Sequence, residues 1–485
     1  MAQAADAEPD PRRWAALLTC CSALFMTLLD VSVTNVALPS IGRATASTPS
    51  QLQWVVSGYT LAFGLVPVLA GRLGDDHGRR RMFQVGVGAF TVTSMLAGLS
   101  PTAGVLIAAR VLQGLAGGLI NPQVSGLVQQ MFRSDERGRA FGVLGTTVGV
   151  GTALGPLVGG ALIALGGQHI GWRLVFFVNV PVGIAVILLA RRLLPQDPAT
   201  GRHRLDILGA AWLGGATFCV LFAAVEYDAL HDRRLAGLVV VAIVLLAVFV
   251  RRERRLTRML RDPLVDLRLF QVPSYSAGAL LALTFFPAMA GVTLVLSLYY
   301  QQGLGYTALQ SGLGVTAYAL GSAVAAPLAG RVVTRIGRPL IVAATITFGA
   351  GAIALALLAR HAPSADVALV FAPALFVMGA GSGAIITPNQ ALTLMEVDPV
   401  TGSTAGGVLQ TAQRMGLAVG QAVIGAVFFA SIPTSGSTAD RYDHALGMAI
   451  LAALGFVILA AAVGCADLLR NHRRTKANVT EPAAP

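Results

Sequence analysis

Asp30 is the residue best placed to do chemistry, a carboxylate set inside the apolar run Trp14–Leu38 as Leu29-Asp30-Val31-Ser32-Val33-Thr34-Asn35-Val36-Ala37-Leu38-Pro39. An ionised aspartate at mid-bilayer costs roughly 2.5–3.5 kcal/mol on insertion scales, so such a residue is a functional candidate by default. Its chemistry would be proton binding and release, because burial destabilises the charged form. The alternative is a structural acid paired with a nearby arginine. Arg110 stands in a second apolar run as Arg110-Val111-Leu112-Gln113-Gly114. A guanidinium needs acceptors and does not give up its proton, so Arg110 would be a fixed charge that tunes its neighbours. To tune Asp30 it is expected close by, without locking the acid in a permanent ion pair. Arg414 is the other arginine inside an apolar segment; it either lines a cavity or snorkels to the surface. Asn35 and Gln113 are the remaining candidate cavity-lining groups.

A second cluster is the short loop Gly71-Arg72-Leu73-Gly74-Asp75-Asp76-His77-Gly78-Arg79-Arg80-Arg81. Glycines allow a tight turn, and acids beside arginines can form charge-assisted hydrogen bonds. A third is Gly142–Gly160, GVLGTTVGVGTALGPLVGG, which carries no charge. Gly145, Gly149 and the Gly155/Gly159 pair recur at about four-residue spacing, with Gly160 beside them. That spacing draws a side-chain-free groove down one helix face, which in a membrane lets backbones approach closely. Pro156 removes a backbone donor and is expected to bend the helix. The segment is either a tightly packed helix or a smooth face along which two helices slide.

These groups need elements to hold them. Of the 485 residues 55% are hydrophobic and 12% charged, and the mean hydropathy is +0.70. No soluble domain could hide that much apolar surface, so an all-α polytopic membrane protein is expected. Fourteen spans of about 20 residues can be placed, centred near residues 26, 61, 91, 115, 152, 182, 216, 242, 286, 319, 349, 380, 417 and 456. The formal charge of +12 lies mostly on one side of this topology, which marks that side as cytoplasmic and argues against a nucleic-acid partner. Both termini then lie inside, and the long first run, interrupted by Asp30, argues against a cleaved signal peptide. The four cysteines lie in apolar segments and fit neither zinc spacing nor a disulfide framework. With no Walker A loop, metal cluster or catalytic triad pattern, neither an enzyme nor ATP drive is expected.

The chain also repeats itself. A shift of 265 places GVL-x-T at Gly142–Thr146 on Gly407–Thr411, Gly151 on Gly416 and Gly155 on Gly420. A shift of 259 places Gly71-Arg72 on Gly330-Arg331 and Gly78-Arg79 on Gly337-Arg338, and a shift of 266 places Pro122 on Pro388. Two parallel six-span halves follow, as in transporters built from such repeats. The expected organisation is a cytoplasmic tail (1–13), a six-helix half (14–195), a linker with two extra transmembrane helices (196–265), a second six-helix half (266–470) and a disordered cytoplasmic tail (471–485). The copies differ where chemistry is concerned: Thr334 stands opposite Asp75, and Gln421 opposite Pro156.

Four motifs resemble those of a known family. The loop Gly71, Asp75, Gly78, Arg79, Arg80 resembles the G-x-x-x-D-x-x-G-R-R-x signature of the major facilitator superfamily, where it latches the cytoplasmic ends of the halves in the outward-facing state. The run Gly145…Gly149…Gly155-Pro156…Gly159-Gly160 resembles the antiporter motif of that superfamily's exporters. The Asp30 string resembles the LD-x-T-x-x-N-x-A-L-P signature of its fourteen-span drug:proton antiporters, departing only in Ser32 for threonine. Arg110…Gln113-Gly114 is similar to an R-x-x-Q-G element tied to proton coupling. Trp172-Arg173…Phe176-Phe177…Asn179-Val180-Pro181-Val182-Gly183 and Tyr299-Tyr300-Gln301-Gln302…Gly305-Tyr306 extend the likeness along most of the chain.

The resemblance implies a major facilitator fold with two extra linker helices, proton-coupled and without a cofactor. Its expected partners are a small drug-like molecule, protons and the bilayer of a bacterial cell membrane, with the protein a monomer. A narrow metabolite exporter or an importer on the same fold is the competing expectation. The 34 arginines to one lysine suggest a high-GC bacterium, in which self-resistance to a produced antibiotic is a natural setting.

Overall fold

In a bilayer every backbone polar group must be satisfied within the segment, which leaves the helix as the element this composition can build. The computed structural model describes residues 10–196, 206–230, 234–259, 263–359, 366–433, 435 and 437–480. Among the described residues there is no strand. In chain order the α-helices are α1 (Arg13–Thr45), α2 (Pro49–Leu65), α3 (Pro67–His77), α4 (Arg79–Leu99), α5 (Ala103–Met131), α6 (Ser134–Phe177), α7 (Asn179–Leu193) and α8 (Ile207–Leu230). They continue with α9 (Arg234–Arg258), α10 (Pro273–Leu298), α11 (Ala308–Gly314), α12 (Thr316–Ile336), α13 (Arg338–Ala359), α14 (Val367–Met395), α15 (Gly402–Ala430) and α16 (Thr438–Thr480).

All fourteen expected span centres fall inside these helices. Length and hydropathy alone reach a smaller number. Among the described residues nine helices could cross a membrane on those criteria, ten if α2 and α3, bent by 48° at their junction, are one span. The difference lies in short or glycine-rich stretches such as Leu157–Gly167 and Ile207–Ala223. The start of the expected sixth span is also joined to the fifth in α6, whose backbone departs from helical geometry at Gly167 (φ 65°, ψ −173°). Pro156, where a bend was expected, has a side chain outside the described set. The tail from Asn471, expected to be disordered, continues α16 to Thr480; no glycine or proline interrupts it before Pro482.

The chain clusters into two compact units, Met1–Leu267 with Val397–Thr411, and Arg268–Glu396 with Ala412–Pro485. The extra helices α8 and α9 belong to the first unit, and so do the first residues of α15. That unit's core includes Leu29, Val33, Ala37 and Ile41 of α1 against Ala97 of α4, Leu106 and Ala109 of α5, and Trp172, Val175 and Phe176 of α6. The second unit is centred on rings: Phe285 packs edge-on against Phe348 (5.1 Å), and Tyr299 stacks on Phe371 (5.9 Å).

The repeat seen in the sequence recurs as the same local devices in each unit. Thr48 and Gln51 form a reciprocal capping box at the start of α2, and Thr307 and Gln310 form its counterpart at α11. Gly78 (φ 94°) and Gly337 (φ 68°) terminate α3 and α12 in positive-φ conformations that an L side chain rarely adopts. Gly155 of α6 meets Ser32 of α1, while Gly420 of α15 meets Pro287 of α10. A Cβ on Gly420 would lie 2.0 Å from the Pro287 carbonyl oxygen. Gly420→Ala is therefore expected to destabilise the second unit by about 1–3 kcal/mol through overpacking. Gly447→Ala, where a Cβ meets nothing within 4 Å, should be neutral or slightly stabilising. Thermal unfolding of the two purified variants compares them directly; equal melting temperatures would remove this contact from the account.

Candidate functional site

Asp30 is enclosed by a network drawn from five other helices, two of which donate to it directly. Its Oδ2 accepts from Arg110 Nη1 of α5 at 2.5 Å, and the two side chains are 0% and 1% exposed. Its Oδ1 accepts from Gln113 Nε2 (3.0 Å) and from Asn179 Nδ2 of α7 (2.9 Å). Asn179 also donates to Ser94 Oγ of α4 (3.0 Å), whose hydroxyl donates to the Phe176 carbonyl. Arg110 also donates to the Val55 carbonyl of α2 through Nε and to Gln113 Oε1 through Nη1. Its guanidinium lies 4.2 Å from the centroid of the Tyr59 ring and 5.7 Å from that of Phe176.

The proximity expected of Arg110 is present, but as a direct, sealed ion pair instead of a looser tuning contact. The reason is solvation: with no water to stabilise it, the carboxylate needs nearly every acceptor site filled by a donor. Gln113, expected to line a cavity, is fully buried and serves as such a donor. Asn35 is exposed on α1, and Arg414 is half-buried in the second unit. Asn179 and Ser94 are members of the network that the sequence reading did not single out as site residues. The signal for Asn179 was present, since it stands in the Phe176-Phe177…Asn179-Val180-Pro181 motif. Ser94 carried none, because its role comes only from packing against α6 and α7.

The glycine groove lies against the same stretch of α1. A Cβ on Gly155 would sit 2.1 Å from Ser32 Oγ, and one on Gly159 would sit 3.0 Å from Val33 Cγ1. Gly151 faces Phe25 and Leu28, so the face on α1 is Gly151, Gly155 and Gly159. Gly149 is buried and Gly145 half-buried, but a four-residue rhythm through Gly155 runs back to Gly151, not to Gly149 or Gly145. Gly160 points into open space.

The loop cluster also assembles. Asp75 Oδ1 accepts the Ser403 amide (3.1 Å), and Oδ2 accepts the Thr404 amide and hydroxyl (both 2.8 Å). A carboxylate thus caps the first turn of α15, where free N–H groups and the helix dipole favour negative charge. Arg79 pairs with Asp75 at 2.9 Å, donates to the Gly126 carbonyl (3.0 Å) and reaches the Pro399 and Val400 carbonyls. Gly71 must be glycine, because a Cβ there would be 2.3 Å from the Ser403 carbonyl oxygen. Arg80, grouped with this latch from the sequence, turns instead to the last carbonyls of α7, those of Arg191 and Leu194. One residue after Arg79 on a helix points about 100° away, so both cannot face α15.

Two expectations follow from these contacts. Gly155→Ala should cost about as much as Gly155→Leu, at least 1–3 kcal/mol, because the first carbon already collides; Gly160→Ala should be neutral, and unfolding in detergent separates the three. Asp75→Asn turns an acceptor into a donor facing donors, leaving buried amides short by about 1–3 kcal/mol. Hydrogen exchange at the Ser403 and Thr404 amides should accelerate at least fivefold, and unchanged protection would show that Asp75 does not hold α15.

The arrangement pairs one buried acid with a fixed cation and fastens a loop to a helix end. The comparisons agree with a transport fold. The family model described as Major Facilitator Superfamily matches residues 20–420 and 278–482. The chain is 36% identical to the probable actinorhodin transporter of Streptomyces coelicolor over 88% of its own length and 74% of that protein. It is 34% identical to the puromycin resistance protein of Streptomyces alboniger over 98% of this chain and 95% of that one. Its fold matches the crystal structure of the human organic anion transporter MFSD10 with a TM-score of 0.65 at 17% identity, covering 94% of this chain and all of that one. With that family match and relatives named for antibiotic transport and resistance, the chain belongs to the major facilitator superfamily.

Proposed function

We propose that this protein exports antibiotics or similar amphipathic small molecules across a bacterial cell membrane in exchange for protons, by alternating access. The fourteen-span topology with both termini cytoplasmic is part of this reading, and proton motive force is its only energy source. The observation that carries it is the Asp30–Arg110 pair. A buried ion pair is weak support for stability, since apolar residues of similar volume often do as well. The second unit supplies that alternative: two residues before Pro287, which meets Gly420 as Ser32 meets Gly155, stands the buried Phe285. A charge kept where its counterpart is a phenylalanine is better explained by chemistry than by packing.

The cycle follows from the contacts. A proton arriving from outside neutralises Asp30 and removes the strongest partner of Arg110, which retains Val55, Gln113 and the ring of Tyr59. Breaking one side of a buried pair costs about 3–5 kcal/mol, enough to shift a balance between two conformations. Because Ser32 and Val33 lie against Gly155 and Gly159, loosening α1 at Asp30 is felt at once along α6. Release of the proton inside restores the pair as cargo leaves by the opposite route. The relatives named for actinorhodin transport and for puromycin resistance support antibiotics as the cargo class.

The test is transport by the purified full-length protein in proteoliposomes with an imposed pH gradient, using puromycin and a panel of aromatic antibiotics as cargo. Wild type should accumulate at least one of them only when the gradient is present. Asp30→Asn should lose gradient-driven accumulation at least a hundredfold while still binding a neutral cargo. Asp30→Glu should retain partial activity with a displaced pH optimum. Gradient-driven accumulation by Asp30→Asn with the wild-type pH dependence would make Asp30 structural and move the proton site elsewhere.

A further inference from the structure

The extra helices carry a second buried acid. Glu253 lies in the charged end of α9, past its apolar run, and is fully buried. Its Oε2 accepts the Val265 amide at 3.1 Å, while Oε1 has no hydrogen-bond partner. Oε1 faces Asp206 at the entrance to α8: a point 2.9 Å from Glu253 Oε1 and 2.5 Å from Asp206 Oδ2 is where a Cβ on Gly209 would sit. Gly209 therefore leaves open a space that both carboxyl groups border. Asp206 is itself held by a forked contact from Arg252 (2.8 Å to each oxygen) and by the Gly209 amide (3.0 Å).

We infer that Glu253 and Asp206 form a second proton-binding site, distinct from Asp30, which fastens Leu264–Val265 to α9 while Glu253 carries its proton. The proton sits on Oε1 and is donated toward Asp206 Oδ2, giving a partner to the one atom that has none. Asp206 stays the ionised member, because its hydrogen bonds from Arg252 hold it below the usual carboxylate range. Glu253 is the titrating member. Burial first, and then the charge of Asp206, push it up to about 7, against smaller opposing effects of the Val265 amide and Arg252. The charged groups that act on Glu253 are Asp206 and Arg252, and an apolar cluster surrounds the fastened segment: Val68 and Leu69 of α3, Val408 of α15, and Ala210 and Leu213 of α8, around Phe249, Leu264 and Val265. The fastened segment thus shares its core with the helix that carries Gly71 and Asp75, and with the first turns of α15.

The direction of the pH effect follows from linkage. In the fastened state Glu253 binds its proton more tightly than in an opened, hydrated state with the ordinary value of 4.5. Fastening is then strongest below the ordinary value, weakens by up to about tenfold per pH unit as pH rises toward 7, and is constant above it. An acidified cytoplasm tightens the segment and an alkaline one frees it. The site does not depend on what the protein transports.

Hydrogen exchange of the full-length protein in lipid nanodiscs reads this without any transport assay. After correction for intrinsic exchange chemistry, protection of the Leu264 and Val265 amides should fall about thirtyfold or more between pH 5 and 7.5. Glu253→Gln, which keeps both the acceptor and a donor toward Asp206, should flatten that dependence. Asp206→Asn, which removes the neighbouring negative charge, should move the midpoint to lower pH. A flat wild-type profile, or the wild-type profile in Glu253→Gln, would overturn the proposal. If Glu253→Gln also loses protection in α4, it has not folded; the Asp206→Asn profile then decides, and an unmoved midpoint there is fatal.

Discussion

One buried carboxylate constrains the first unit more than any other group. Asp30 has no water to solvate it, so protein donors must do so, and they come from the helices that meet at α1. Arg110 and Gln113 bring α5, Asn179 brings α7, Ser94 brings α4 through Asn179, and Val55 brings α2 through Arg110. A displacement of any of these helices leaves a buried charge or amide short of a partner. The same charge therefore ties the positions of these helices to one another.

Repetition and asymmetry have different physical origins in this chain. Close helix contacts are repeated: Gly155 on Ser32 and Gly420 on Pro287, capping boxes at Thr48 and Thr307, positive-φ glycines at 78 and 337. Those devices serve backbone geometry, which both halves need alike. The acids of the first unit are not repeated. Thr334 stands opposite Asp75, and Arg338 pairs instead with Asp467 of α16 at 2.8 Å. Phe285, two residues before Pro287, packs on Phe348, whereas Asp30, two residues before Ser32, pairs with Arg110. The packing devices are thus repeated, while the Asp30–Arg110 pair and the Asp75 cap on α15 stand in the first unit.

The extra helices fit this division. Asp206, Arg252 and Glu253 stand at the ends of α8 and α9, where apolar runs give way to charge, and their hydrophobic neighbours belong to α3, α15 and the chain leading to α10. The inserted pair is therefore fastened to the elements that surround the Asp75 cap, and is not a detached spacer between repeats.

Much of this was legible in the residues in order. The membrane class follows from composition, the repeat from matched shifts, and Asp30, Arg110, Asp75 and Arg79 from the cost of charge in or beside apolar runs, a cost that holds whatever the neighbours are. What the sequence could not decide is which way side chains point and what they meet. Helical phase sends Arg79 to α15 and Arg80 to α7, and it chooses Gly151 over Gly149 as the companion of Gly155 against α1. The closure of Arg110 on Asp30, the recruitment of Ser94 and Asn179, and the meeting of Glu253 with Asp206 across 47 positions of chain are likewise matters of distance. Charge and hydropathy are local properties of a sequence, whereas a hydrogen bond requires two groups within about 3 Å, and only the packed tertiary structure determines which pairs come that close.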